Sequence, residues 1–240
     1  MKNIMIFQDF VRGTYGKSWE EDELFNYFRA QIDNSILLGW DPKDIIILTN
    51  LPFEYKGVKI IRSNYICTYN KYFNKLLGIW ELLHYRLVEE PFWFHDFDDW
   101  QISEFTFPYF AGEIGACKYI NFTQWNTGSL FVKPDSIPFW ELCKNFIEVN
   151  DSHPELLQVG DENIFNFLYE QNKSILEDFI SEIPYDYNIG MTGFEERLAK
   201  ATKPKVVAFK PDNYTIEYLT KYSLLSPDLL EIFRKFKFIS

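Results

Sequence analysis

Histidine and cysteine are scarce in this chain, three of each in 240 residues. His84, His95 and His153 are too few for a phosphohydrolase built on several helical metal-binding histidines, even though His95 directly precedes Asp96. Cys67, Cys117 and Cys143 are odd in number and far apart, so they form no CxxC or Cys/His metal spacing and no disulfide framework. No GxSxG segment occurs and no Cys/His pairing suggests itself, which leaves nucleophilic-triad chemistry unsupported. Long apolar runs are also missing. Ile4-Met5-Ile6-Phe7 is far too short for a signal-peptide core or a membrane span. These absences lead us to expect a reduced, cytoplasmic protein with no transmembrane segment, in which the N-x-S/T triplets at Asn121, Asn150, Asn172 and Asn213 are incidental.

Positive charge is in short supply as well. The net charge is −11, which argues against general binding to a phosphate backbone and makes nucleic acid an unexpected partner. The distribution is uneven: residues 200–240 hold eight Lys or Arg against four Asp or Glu, leaving −15 on residues 1–199. That basic end suits either local phosphate contacts or a solvated terminal helix. What is abundant is apolar and aromatic surface, 47% and 19% of residues. This is enough for a sizeable core, and we read residues 1–240 as one domain without repeats, low-complexity segments or long linkers.

Strands and helices alternate through the first hundred residues. Residues 3–8 read as a strand, and Ser18-Trp19-Glu20-Glu21 as a capping box opening an amphipathic helix to about Leu38. Short apolar runs at 44–49 and 58–61 read as strands. Phe73, Leu76, Leu77, Trp80, Leu83 and Leu87 recur at helical spacing, and a further strand occupies 91–95. The pattern predicts an α/β fold with a mixed, mostly parallel sheet flanked by helices. Strands near 117–122, 129–133 and 205–209, helices near 137–148 and 162–171, and C-terminal helices within 213–237 complete the expectation.

The strand at 91–95 runs into His95-Asp96-Phe97-Asp98-Asp99. On an extended backbone alternate residues share a side, so Asp96 and Asp98 converge while His95 points away. Two adjacent carboxylates repel each other, and a hard divalent cation such as Mn²⁺ or Mg²⁺, sharing its shell with phosphates, relieves that repulsion. Asp99 replaces Asp98 as the second ligand if the strand ends earlier. A solvated acidic turn is the plainer alternative.

Further segments carry a resemblance. Phe73-Asn74-Lys75-Leu76-Leu77 before the acidic turn, Asn126-Thr127-Gly128-Ser129 before an apolar run, Gly160-Asp161-Glu162-Asn163, and Lys205 to Pro211 ending in Lys210-Pro211 stand in one order. Together they resemble the GT-A glycosyltransferases, within them the retaining family of glycogenin and the bacterial lipopolysaccharide glucosyl- and galactosyltransferases, over residues 3–211.

The resemblance implies a GT-A (Rossmann-like) domain: a nucleotide-binding half at 1–100, an acceptor and sugar half at 101–211, and a helical tail at 212–240. It implies transfer of a sugar from a nucleotide sugar, a UDP-hexose, with retention, onto a glycan, protein or small-molecule acceptor. Asp96 and Asp98 become the metal ligands. Phe7, Gln8, Asp9, Arg12, Tyr15, Lys75, Asp96, Gly128, Glu162 and Lys210 become donor-binding residues, and Asp161 and Asn126 catalytic ones. Taken alone, Asp161 is also a good helix cap, Lys75 a solvated helical lysine, Asn126 and Gly128 ordinary turn residues, and Tyr15 a surface tyrosine. One departure stands out: where the family carries a metal-binding His, this chain has Ala208. The rival activities are a nucleotidyltransferase on a similar fold and a non-catalytic nucleotide-sugar-binding relative. The tail Phe233-Arg234-Lys235-Phe236-Lys237-Phe238 suits docking onto the domain or peripheral contact with a membrane.

Overall fold

The computed structural model of the chain describes residues 1–8, 21–68, 70–150, 160–176 and 178–240. Asp9, Arg12, Tyr15, His153 and the Ser18–Glu20 part of the expected capping box lie outside the described residues.

The chain opens with β1 (Lys2–Phe7), followed by α1 (Glu21–Leu37), β2 (Ile45–Thr49) and β3 (Lys59–Arg62). Next come α2 (Asn74–His84), β4 (Phe92–His95), β5 (Asp99–Gln101), β6 (Ile114–Lys118) and β7 (Trp125–Val132). The second half adds α3 (Ile137–Val149), α4 (Asp161–Gln171), α5 (Lys173–Leu176), β8 (Ile180–Glu182) and β9 (Ile189–Gly190). It ends with α6 (Phe194–Lys200), β10 (Val206–Ala208), α7 (Asn213–Thr220) and α8 (Pro227–Lys235).

Seven strands form the main sheet in the order β3-β2-β1-β4-β7-β6-β8. The pairings of β1 with β2 and β4, β2 with β3, and β6 with β8 are parallel; β7 runs antiparallel to β4 and β6. Strands buried on both faces need apolar side chains throughout, which is why β2 and β4 are buried at every position. Alternation then divides them: Ile4 and Ile6 join α2, α3 and α4 on one face, while Met5, Ile45 and Ile47 join Leu24, Phe28 and Ile32 of α1 on the other. Gly78 permits the close approach of α2, since a Cβ there would lie 2.7 Å from Ile6 Cγ2. The chain moves outward from β1 through β2 to β3, then returns to β4 on the other side of β1. The carboxyl ends of β1 and β4 therefore flank a topological switch point, where ligands gather in open α/β sheets.

A three-stranded sheet, β5-β10-β9, lies beyond the acidic turn. Its Trp100 and Val207 are buried with Phe209 and with Leu229 and Phe233 of α8, and Trp100 Nε1 donates to the Phe209 carbonyl at 3.1 Å. The tail aromatics are therefore docked: Phe233 and Phe236 are buried, and Phe238 packs against Tyr27 in a tilted arrangement at 4.6 Å between ring centroids. Among the described residues, no helix is long and apolar enough to cross a membrane.

Two expected strands shift. β6 spans Ile114–Lys118, not 117–122, because Tyr119 N–H closes a turn onto the Gln124 carbonyl at 2.9 Å, with Asn121 at φ 62°. β7 starts at Trp125, ahead of 129, because Lys118 pairs with Trp125 across a register irregularity and draws Asn126–Gly128 into the ladder. The short strands β5, β8 and β9 and the helices α5 and α6 had no counterpart in the sequence reading.

Candidate active site

β4 stops at His95, and a turn follows it. Asp96 N–H donates to the Gly128 carbonyl at 2.8 Å, and Asp99 N–H closes back onto the Asp96 carbonyl at 3.1 Å. Asp96 and Asp98 thus converge through a turn, not through alternation along an extended strand as expected. The turn also brings Asp99 into the group: carboxylate oxygens of Asp96, Asp98 and Asp99 all lie within 4.8 Å of one another. Phe97 anchors the turn against Phe7 and Phe28, and Phe209 N–H donates to the Asp98 carbonyl at 2.7 Å. His95 points away, stacked on Trp93 and with Nε2 2.9 Å from Asn3 Oδ1; burial pushes its pKa down to about 4.

Lys75, in the first turn of α2, reaches across to this turn. Its Nζ lies 2.8 Å from Asp96 Oδ2 and 2.7 Å from Asp161 Oδ2, and 3.4 Å from the Thr127 carbonyl. Burial alone would lower the Lys75 pKa, but the two carboxylates outweigh it and hold it above its ordinary value. Burial, opposed by Lys75 and reinforced by Asp161 and Asp98, pushes the Asp96 carboxyl up to about 7. Asp161 is the first residue of α4, after the N-cap Gly160. Its side chain does not cap the helix. It turns to Lys75 and to the Thr127 hydroxyl, which donates to the same Oδ2, while the helix N-terminus favours its negative charge.

Beside it, Glu162 accepts from Tyr119 Oη at 2.8 and 2.9 Å and from Thr127 N–H at 3.2 Å, and burial holds its pKa above the usual carboxylate range. Asn126 sits beneath this layer. Its Oδ1 accepts from Gly128 N–H at 2.9 Å and from Asn188 Nδ2 at 2.5 Å, and its Nδ2 donates to Tyr119 Oη at 2.9 Å. Fully buried Arg197 donates to the Asn188 carbonyl at 3.1 Å and lies over the Tyr119 ring. Asn166 ties α4 to β7, accepting from Trp125 N–H at 2.7 Å and donating to the Trp125 and Glu162 carbonyls.

A cleft of about 420 Å³ opens over these groups at the carboxyl ends of β1 and β4. It gathers the sequence-predicted Phe7, Gln8, Lys75, Asp96, Asp98, Asp161, Glu162 and Lys210. Asn126 and Gly128 do not reach its wall; they support it from below. Sequence reasoning missed Lys71, Tyr72 and Asn74, which line the cleft, and Asp99 as a full member of the carboxylate group. Asn74 stood inside the Lys75 motif and Asp99 beside the paired aspartates, so both were signalled by position. Lys71 and Tyr72 carried no signal. Among the described residues, three lysines face four carboxylates on the wall, with the Asp99 carboxylate behind them, an anionic surplus suited to a cation and lysines suited to phosphates.

No family model matches the sequence, and no curated protein matches it either. Solved structures do. The chain is similar to the glycosyltransferase GlyE of Streptococcus pneumoniae TIGR4, with a TM-score of 0.59 at 14% identity, over 98% of this chain and 63% of that one. It thus spans less than two thirds of GlyE's length. It is also similar to an active-site variant of LgtC, with a TM-score of 0.56 at 12% identity, over 87% of both chains. A glycosyltransferase involved in glycosylating the major capsid of PBCV-1 gives 0.50 at 11% identity, over 87% of this chain and 93% of that one. The fold is the GT-A fold of these glycosyltransferases.

Proposed function

We propose that the chain is a metal-dependent glycosyltransferase that moves a hexose from a nucleotide sugar, a UDP-hexose, to a glycan, protein or small-molecule acceptor with retention. The observation that carries this reading is the Lys75 ammonium held between Asp96 of the acidic turn and Asp161 of α4, on the floor of a cleft at the switch point. Metal ligand, cation and positioning carboxylate are contiguous there, which is what breaking a bond to a diphosphate requires.

The residues present fit a divalent cation. Carboxylate oxygens are the donors that Mn²⁺ and Mg²⁺ prefer, and Asp96 and Asp98 would hold it. A bound ion supplies positive charge against the departing diphosphate. Lys210 and Lys71 on the wall would add charge for the same phosphates, and Lys75, held between Asp96 and Asp161, would contact the phosphates or the sugar. Asp161 carries Lys75 and the Thr127 hydroxyl on one oxygen, so it acts as a positioning carboxylate for a sugar or acceptor hydroxyl. That role supports same-face attack, in which the leaving phosphate takes the acceptor's proton. Glu162, fixed by Tyr119 and the Thr127 amide, lines the donor's sugar end. Phe7 and Gln8 at the end of β1 belong to the nucleotide side. Three buried cysteines, odd in number and far apart in sequence, support a reducing, cytoplasmic setting.

Incubation with a panel of nucleotide sugars and Mn²⁺ tests the reading. Release of a nucleoside diphosphate, lost on chelation and in Asp96→Ala, supports it. Pyrophosphate release points to nucleotidyl transfer, and UDP binding without turnover of any donor points to a binding module.

A further inference from the structure

We propose that Asp99 supplies a third carboxylate to the divalent-cation site, making it, with Asp96 and Asp98, an all-oxygen ligand set that needs nothing from β10. This rests on the metal-dependent reading above.

Asp99 is 2% exposed, and its Oδ1 is buried without a hydrogen-bond partner among the described residues. The cation nearest to hand, Lys75, is committed to Asp96 and Asp161. A carboxyl group buried in that state is neutralised by a proton or by a cation, and the two neighbouring aspartates make a shared cation the one partner that serves all three. Its neighbours leave room for the carboxylate. Gly128 lies directly under the carboxylate, where a Cβ would sit 2.6 Å from Asp99 Oδ2. Across the ladder Asp99 pairs with Ala208, and residues directly opposite in an antiparallel pair present side chains to one face. A methyl group therefore stands where β10 could have offered a ligand. The three carboxylates lie within 4.8 Å of one another, so a small closure brings them to the spacing of ligand oxygens around one ion, about 3 Å when adjacent and about 4.2 Å when opposite at bond lengths of about 2.1 Å. Three hard oxygens and no nitrogen favour Mg²⁺ and Mn²⁺ alike and give Zn²⁺ no preferred ligand.

Mn²⁺ titration of the full chain, followed by the electron paramagnetic resonance of the free ion with and without UDP, tests this. Asp99→Asn is expected to weaken Mn²⁺ binding tenfold or more, comparably to Asp98→Asn, with the metal-free melting temperature unchanged or raised. Wild-type affinity in folded Asp99→Asn overturns the Asp99 assignment alone. A wild-type chain that binds no Mn²⁺ under either condition overturns the metal reading with it. Should the variant not fold, anomalous scattering from Mn²⁺-soaked wild-type crystals decides: an ion about 2.2 Å from an Asp99 oxygen supports the assignment, and one beyond about 3.5 Å overturns it.

Discussion

Replacing Lys75 with Met keeps the aliphatic stem inside the fold and deletes only the charge, so it isolates the bridge between Asp96 and Asp161. The Lys75 and Asp161 side chains are 11% and 9% exposed, and Asp96 is 36% exposed. Removing one partner of a buried ion pair costs about 3–5 kcal/mol; solvent screening of the Asp96 half brings our figure to about 2–4 kcal/mol. For a chain of this size that lowers the melting temperature by about 5–15 °C. The sign with pH follows. Lys75 has a raised folded pKa, so its contribution is fully present below the unfolded value of about 10.4 and is lost only above it. Between pH 5 and 8 the wild-type bridge therefore does not weaken through Lys75. In Lys75→Met the two carboxylates are left without their cation, and acid relieves their repulsion by protonating Asp96, whose pKa is already raised. The stability gap should thus be large at pH 7.5 and narrower at pH 5. If Lys75 also faces the leaving diphosphate, kcat falls by about 10²–10³-fold. Thermal melts of both proteins at the two pH values, without metal, measure the first effect, and nucleoside diphosphate release measures the second. Equal melting temperatures at pH 7.5, or a gap that widens on acidification, would refute the bridge.

Asp96 has a raised folded pKa, pushed up to about 7, so the folded chain holds that proton more tightly than the unfolded one. Stability from this group falls as pH rises from about 4 to about 7, and Asp96→Asn should remove that part of the metal-free pH profile. Asp161→Asn keeps the shape but not the charge opposite Lys75. Steady-state assays should show kcat down by about 100-fold with the donor KM little changed, as for a group used mainly in the transition state. Asn166→Ala strands the Trp125 amide and carbonyl that its side-chain amide satisfies. A loss of about 1–3 kcal/mol in denaturant unfolding is expected, with the slope unchanged.

How much of this was legible in the sequence depends on how far apart the partners lie. The first four strands and helices α1 to α4 carry their own periodicity, because each buries a face that repeats within its own length. β5, β8 and β9 are two or three residues long, too short for any period, and β5 exists only because β10 meets it with Val206 against Gln101 and Ala208 against Asp99. The same limit governs the site. Asp96 and Asp98 announced a cation site because like charges at close quarters need one. Taken alone, Lys75 and Asp161 announced only a helical lysine and a helix start; the resemblance assigned them to the site, and their contact exists only because α2 and α4 bring them together. Asn126 read as a turn residue, and its place in the supporting layer depends on Asn188, Tyr119 and Arg197, none of which is near it in sequence except Tyr119.

Asp99 marks the sharpest difference between the linear and the folded reading. Alternation along an extended strand sends Asp99 to the opposite side from Asp98, so it could only substitute for Asp98, never join it. The hydrogen bond from Asp99 N–H to the Asp96 carbonyl replaces alternation with a turn and returns the third carboxylate to the group. Gly128 and Ala208, which in the sequence look like a turn residue and a lost ligand, take on one shared role beside it: both are small where the Asp99 carboxylate needs space. A side chain larger than hydrogen at 128 would have to displace that carboxylate, and a ligand at 208 would compete with it for the same ion. In the proposed site the acidic turn itself therefore completes the oxygen set, and β10 need contribute nothing to it.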